Sequence, residues 1–165
     1  MKVLKYIDFI NEWVGKVFSN VILIIMLLAI YEVIRRYFFS NPTTWVWEIN
    51  SHLMCLMGAM AGGYTYLKGS HVSVDILTSR LQPRTRAILS LATAPFFFIF
   101  VGCLIWFGAK EAIRSYAVDL RVISQFASPL WPVKSVIPLG GILIFLQGLS
   151  GLIRNIRILA EVKEQ

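Results

Sequence analysis

Charged residues are scarce in this chain, and none lies in the middle of its long apolar runs. Asp, Glu, Lys and Arg make up 15% of the 165 residues, whereas a soluble domain carries about 25%. A soluble helical protein would also show polar outer faces, but residues 96–107 (FFFIFVGCLIWF) have none. The scarcity of charge therefore argues against an ordinary soluble domain, and it leaves no ion-binding group at the centre of a membrane span.

Cysteine and histidine are also rare, with two of each in the sequence. Cys55 and Cys103 lie inside apolar runs and suit small buried hydrophobic positions, not a disulfide framework or a metal site. The sequence has no phosphate-binding loop, hydrolase elbow or metal-ligand cluster. We therefore expect no catalytic residue, no cofactor and no bound metal, and we do not expect an enzyme.

What the chain does contain is four long apolar runs. A helix crosses the ~30 Å hydrocarbon core of a bilayer with ~20 apolar residues. The sequence therefore predicts an all-α integral membrane protein, a single domain over residues 1–165 with four transmembrane helices. The predicted spans are residues 17–35, 45–67, 87–109 and 133–155.

Residues 1–16 form a separate segment before the first span. Apolar side chains recur there at helical spacing with charged ones between them, which predicts a helix lying in the membrane interface. Trp13 would anchor this helix among the lipid headgroups. A simple extension of the first span is the alternative. No cleavage site follows the first apolar run, so we expect it to remain as an uncleaved anchor.

The flanks of the predicted spans indicate the orientation of the chain. Trp45, Trp47 and Trp131 stand where spans begin, as in an aromatic belt. After the third span, apolar residues keep helical spacing, which predicts an amphipathic extension beyond the bilayer.

Ten of the 16 Lys and Arg residues lie on the side that holds both termini, so we expect cytoplasmic termini. The basic residues flank the spans and form no patch, so no nucleic acid partner is expected.

The second span carries small and polar residues on one helical face. Gly58 and Gly62 form a GxxxG pair, and Ala59 and Gly63 form a second pair at the same spacing. Such pairs let two helix backbones approach closely in lipid; chance is the alternative, because glycine is common in membrane helices. The fourth span repeats the theme. The predicted packing or partner surface comprises Glu48, Ser51, His52, Cys55, Gly58, Ala59, Gly62, Gly63, Gly141 and Gly148.

Ionisable residues cluster near one predicted membrane surface. Glu32, Arg35 and Arg36 close the first span, and Glu48 opens the second on the same side. An ion-pair cluster and separate side chains snorkelling to the interface explain this pattern equally well. His52 lies within the membrane, where an ionisable group is a functional candidate. We favour a hydrogen bond from His52 to a neighbouring helix.

The loop after the second span contains a second histidine. His71 and Asp75 are four residues apart, with Val74 between them. Two such groups alone do not define a metal or catalytic centre. We favour a structural role, in which this inner loop is tied to the adjacent helices.

Several short motifs in order along the chain resemble a known family. Trp47-Glu48 opens the second span, the glycine region 58–63 follows, and residues 71–75 (HVSVD) come next. Residues 129–130 (PL) and 138–140 (PLG) precede and enter the last span. Over nearly its whole length the chain resembles the small membrane subunit, of the DctQ type, of tripartite ATP-independent periplasmic (TRAP) transporters.

This resemblance implies a heteromeric complex in the inner membrane of a bacterium or archaeon. A large DctM-type permease subunit would hold the substrate and sodium sites and move as an elevator. A periplasmic substrate-binding protein would deliver a small organic anion, often a carboxylate. The small subunit would pack on the scaffold of the large one and stabilise it against the membrane lipids.

Two alternatives come from other functional classes. A haem-b anchor of a respiratory enzyme needs two histidines facing each other within the membrane, but His71 lies at the membrane edge. A self-contained homo-oligomeric transporter should carry a polar pore stripe in its spans. Only the second span has anything similar, and its residues on that face are mostly small.

Overall fold

The computed structural model describes residues 2–68 and 83–161. Five helices make up most of this part of the chain, which has no strand and a single isolated β-bridge, between Arg121 and Pro129. The predicted all-α fold is therefore confirmed for the described residues. The helices are α1 (Lys2–Ser19), α2 (Val21–Tyr37), α3 (Val46–Leu67), α4 (Pro83–Ala117) and α5 (Trp131–Glu161).

Three segments of the described chain are long and apolar enough to cross a membrane. They are Val3–Tyr37, which combines α1 and α2, Ile88–Ala117 in α4, and Trp131–Arg157 in α5. Helix α3, the predicted second span, is not among them. Its 22 residues reach ~33 Å, but polar residues near its start and glycines near its end lower its mean hydropathy. The second span, residues 45–67, and with it the count of four spans therefore stay predictions.

The position of α3 in the bundle explains why it carries fewer apolar side chains. Helix α3 contacts α1, α2 and α5, whereas α4 packs against α5. A helix that its neighbours partly cover presents less surface to lipid, so small and polar residues cost less there. Helix α2 lies at the edge of the bundle and has no buried residue.

The N-terminal helix α1 is a packed element of the bundle. Asn20 separates it from α2, and the backbone bonds there, from Asn20 N to Val17 O (3.3 Å) and from Leu23 N to Asn20 O (3.1 Å), join residues three apart. Asn11 and Gly15 of α1 are buried against α3 and α5. The apolar side chains of α1 are exposed or half-buried. The location of α1 in the membrane interface stays a prediction.

A short loop, residues 118–130, connects α4 to α5. Val122 N donates to Ser128 O at 3.0 Å and Leu130 N donates to Leu120 O at 2.9 Å, so the loop closes as a narrow hairpin. Ala127 takes a positive φ of 47°, which the tight turn requires. Helix α4 itself continues to Ala117, beyond the predicted span at residues 87–109. Its 35 residues measure ~52 Å, more than the ~30 Å hydrocarbon core.

Candidate functional site

Part of the small-residue face of α3 is used inside the chain. A Cβ atom added to Gly62 would lie 2.6 Å from Ile144 Cδ1 of α5. A Cβ atom added to Gly63 would collide with the Asn11 side chain of α1 and would lie 3.3 Å from the backbone carbon of Leu143. These two glycines therefore let α1 and α5 pack directly on the α3 backbone.

The glycines of α5 also allow close helix packing, against α3 and against α4. Gly140 faces the backbone of Ala59, so a side chain there would collide with the Ala59 carbonyl group. A Cβ atom on Gly141 would lie 2.8 Å from Leu104 of α4, and one on Gly148 would collide with the Phe97 ring. Helices α3, α4 and α5 thus form a close-packed unit through their small residues.

A different face of α3 has no partner among the described residues. Trp47, Ser51, Met54 and Gly58 are separated by four, three and four positions, so they share one side of the helix. Trp47 is 81% exposed and Met54 is 66% exposed. A Cβ atom added to Gly58 would meet nothing within 4 Å. We call these four residues the outer face of α3; Cys55 is half-buried at its edge.

Glu48 is held inside the protein at the start of α3. Its side chain is 6% exposed and accepts hydrogen bonds from the Ser124 hydroxyl, the Ser128 hydroxyl (2.5 Å) and the Ser128 backbone N–H (3.2 Å). A buried carboxylate with several donors is a strong tie. Glu48 therefore fixes the loop 118–130 against α3, and His52 follows it one turn later as a half-buried side chain.

Glu32 closes a different loop. It pairs with Arg36 at 3.1 Å, one of the two arrangements that the sequence left open, and it accepts hydrogen bonds from the Thr43 hydroxyl and from Thr43 N at 3.2 Å. Arg35 is half-buried, and its carbonyl accepts from Asn41 N at 3.1 Å. In the contacts that the structure describes, Glu32 and Glu48 thus bind separate groups, one for each connection at this end of the bundle.

The tryptophans predicted as membrane anchors lie at the surface or at its edge. Trp13 and Trp47 are largely exposed. The Trp45 ring packs 6.1 Å from that of Tyr31, and the Trp131 ring meets Tyr116 edge-on at 5.6 Å. The predicted loop residues fall outside the described part of the chain; they are His71, Val74 and Asp75.

A polar network between α1 and α5 was not predicted from the sequence. Asn11 Nδ2 donates to Gln147 Oε1 (2.9 Å), and Gln147 Nε2 donates to Asp8 Oδ1 (2.9 Å). Asp8 also pairs with Arg154. An available signal was Gln147 itself, since an uncharged polar residue inside an apolar span needs a hydrogen-bonding partner. No three metal-binding side chains come together in residues 2–68 and 83–161.

Comparison with known proteins assigns this arrangement to a family. The family model described as "Tripartite ATP-independent periplasmic transporters, DctQ component" matches residues 25–158. The match covers most of α2 and all the described residues from there to α5, whereas α1 lies outside it. A comparison with curated proteins gives no match. Because the family model covers well over half of the sequence, this membrane protein belongs to the DctQ family and is the small component of a TRAP transporter.

Proposed function

We propose that this small subunit packs on the scaffold of a large DctM-type permease and stabilises that scaffold in the bilayer. With a periplasmic substrate-binding protein, the complex carries out sodium-driven uptake of a small organic anion, such as a carboxylate. The subunit lies in the cytoplasmic membrane of a bacterium or archaeon. It crosses this membrane four times, and both of its termini are in the cytoplasm. The sodium coupling and the substrate class rest on what TRAP transporters do as a family.

The outer face of α3 is the observation that supports the packing role. Lipid is best met by large apolar side chains, but this face also presents Ser51 and the bare backbone at Gly58. Ser51 has its hydroxyl bonded to Trp47 O at 2.9 Å, so it is compatible with a protein neighbour of low polarity. An open glycine on such a face lets a second helix approach closely.

The rest of the small-residue face supports the same role indirectly. Gly62 and Gly63 are covered by α5 and α1, so they build the subunit itself and leave the outer face as the surface for a partner. Exposed tryptophans away from this face, such as Trp13 and Trp106, hold the assembly among the lipid headgroups. The end of α4, residues 110–117, faces outward in this topology, where a binding protein docks.

The test compares two glycines at which the chain leaves room for a first side-chain atom. A Cβ atom would meet nothing within 4 Å at Gly58 of α3, which is exposed, or at Gly102 of α4, which is half-buried, so both Gly58→Leu and Gly102→Leu begin their side chains in open space. We expect Gly58→Leu to reduce the amount of permease that co-purifies with the tagged small subunit. Gly102→Leu is expected to leave it near the wild-type amount.

Uptake measurements in the same strains complete the test. Deletion of the small subunit is expected to abolish transport while substrate binding by the isolated periplasmic protein is unchanged. Wild-type recovery of permease with Gly58→Leu would argue against the outer face of α3 as the contact. Full uptake by the large subunit alone would contradict the stabilising role. No observation favours a haem anchor or a self-contained transporter.

A further inference from the structure

A groove lies between α4 and α5 near the end of α4. Its volume is about 860 Å³, within the range of about 300–1,000 Å³ that is typical of ligand sites. Gly108 forms part of its lining, and a Cβ atom there would lie 3.2 Å from Ile137. Helices α4 and α5 are therefore close to each other at Gly108, beside the groove.

The lining changes character along the helix axis. Leu104, Phe107 and Ile137 make one end apolar, while Lys110 and Arg114, with Ile113 between them, line the other end. The membrane-capable segment of α4 is Ile88–Ala117, and a span of ~20 residues placed at its start ends just before Lys110. With the span placed in this way, the apolar end is at the depth of the acyl chains and the basic end is at the depth of the lipid headgroups.

The basic end carries an excess of positive charge. Glu111 also lines the groove, but its carboxylate binds Lys134 at 2.7 Å and lies 3.9 Å from Arg114. Lys134 therefore neutralises the carboxylate by itself. Lys110 is exposed, and the Arg114 side chain is largely exposed, so both cations are accessible to a ligand.

We infer that this groove binds one anionic phospholipid, with its phosphate between Lys110 and Arg114 and an acyl chain against Leu104, Phe107 and Ile137. Both ends of the groove contribute to binding. Each Lys or Arg near the membrane surface attracts an anionic headgroup. An acyl chain in the apolar end of the groove gives the apolar side chains there close neighbours that they otherwise lack. The inference does not depend on the permease, because every residue of the site belongs to this chain.

The experiment is native mass spectrometry of the full chain released from detergent micelles, with two lipids that have identical acyl chains. Phosphatidylglycerol is expected to bind more tightly than phosphatidylcholine. The double variant Lys110→Gln/Arg114→Gln should bind phosphatidylglycerol ~10-fold or more weakly, because it removes two cations from the headgroup site. Phe107→Ala should weaken the binding of both lipids to the same extent, since it removes a side chain from the apolar end of the groove only.

The matched control is Lys5→Gln/Arg157→Gln, which removes two exposed cations elsewhere on the chain. It should retain the wild-type preference for phosphatidylglycerol. Equal binding of the two lipids by the wild-type chain would overturn the inference, and so would an unchanged preference in the Lys110→Gln/Arg114→Gln variant. Displacement of phosphatidylglycerol by an equimolar amount of inorganic phosphate would also overturn it, because the apolar end of the groove would then contribute nothing to binding.

Discussion

Asn11 and Gln147 are 136 positions apart in sequence, and the Asn11 amide donates a 2.9 Å hydrogen bond to the Gln147 side chain. Their side chains are 1% and 2% exposed, respectively. The same Asn11 amide also donates to Ile7 O at 3.1 Å, within its own helix. Together with the contacts of Asp8 to Gln147 and Arg154, this pair joins α1, which lies before the region matched by the family model, to α5 within it.

Replacing Asn11 with Ala should destabilise the subunit by roughly 1 kcal/mol, because a buried Gln147 oxygen loses its donor. For a chain of this size that corresponds to a decrease of ~2–4 °C in Tm. The measurement is fluorescence-detected size-exclusion chromatography of the full chain after heating in detergent.

Asn20→Ala is the matched control for that change. Asn20 also bonds a carbonyl four residues earlier, Lys16 O at 2.9 Å, but it is exposed and the bond stays within one helical segment. Its Tm should stay within the error of the wild type. Equal losses in the two variants would mean that the contact between α1 and α5 contributes nothing measurable.

The apolar runs predicted the helical class and four spans, and three of these spans fall in membrane-capable segments of the structure, because length and composition alone determine those properties. They did not show that Gly62 and Gly63 are covered by α5 and α1, while Gly58 is open. All three glycines fall on or near one face in a helical projection, and spacing says nothing about which neighbouring helix occupies that face. That information lies in long-range contacts between α1, α3 and α5.

The charged residues Glu32 and Glu48, near the connections that flank α2, α3 and α5, show the same limit. The i,i+4 spacing of Glu32 and Arg36 allowed an ion pair, and the structure contains this pair at 3.1 Å. By contrast, the partners of Glu48 are Ser124 and Ser128, about 80 residues away. Serine hydroxyls in a loop carry no sequence signal for a distant carboxylate, so the role of Glu48 as a loop anchor required the structure.

Glu48→Gln should loosen the loop 118–130, because an amide is a weaker acceptor than a carboxylate for the three donors that Glu48 binds. Arg121 lies in this loop and is exposed, so limited trypsin digestion followed by mass spectrometry reports on it. We expect cleavage after Arg121 to be severalfold faster than in the wild type. Glu32→Gln, which changes the other connection, should leave this rate unchanged. If both variants are cut after Arg121 as slowly as the wild type, Glu48 does not hold the loop.

Gly63→Ala should reduce the yield and the Tm of the subunit. The added methyl group would collide with Asn11 and press on the backbone of Leu143, and such overpacking costs about 1–3 kcal/mol. Gly58→Ala places the same group in open space and should raise helix stability slightly, since alanine is favoured over glycine by about 1 kcal/mol in helices. Thermal melts of the two purified variants in detergent measure the difference, and a Gly63→Ala variant as stable as Gly58→Ala would contradict the packing described for α1 and α3.

The orientation and number of spans can be measured by labelling single cysteines with a membrane-impermeant maleimide, after both native cysteines are replaced by serine. With four spans, Asn41→Cys and Gln125→Cys should be labelled in intact spheroplasts, because the connection from α2 to α3 and the loop 118–130 both face outward. Lys2→Cys and Lys163→Cys should react only after permeabilisation, since both termini are then cytoplasmic.

The alternative arrangement gives a different labelling pattern. Helix α3 is not among the three segments whose mean hydropathy is high enough for a membrane span, so the labelling has to decide whether α3 crosses the membrane. If α3 does not cross, the chain changes sides an odd number of times, and Lys2→Cys and Lys163→Cys should label from opposite sides of the membrane. Helix α3 contacts α2 and α5, which belong to membrane-capable segments, and these contacts favour the crossing arrangement. Labelling of exactly one terminus in intact spheroplasts would therefore overturn the four-span topology.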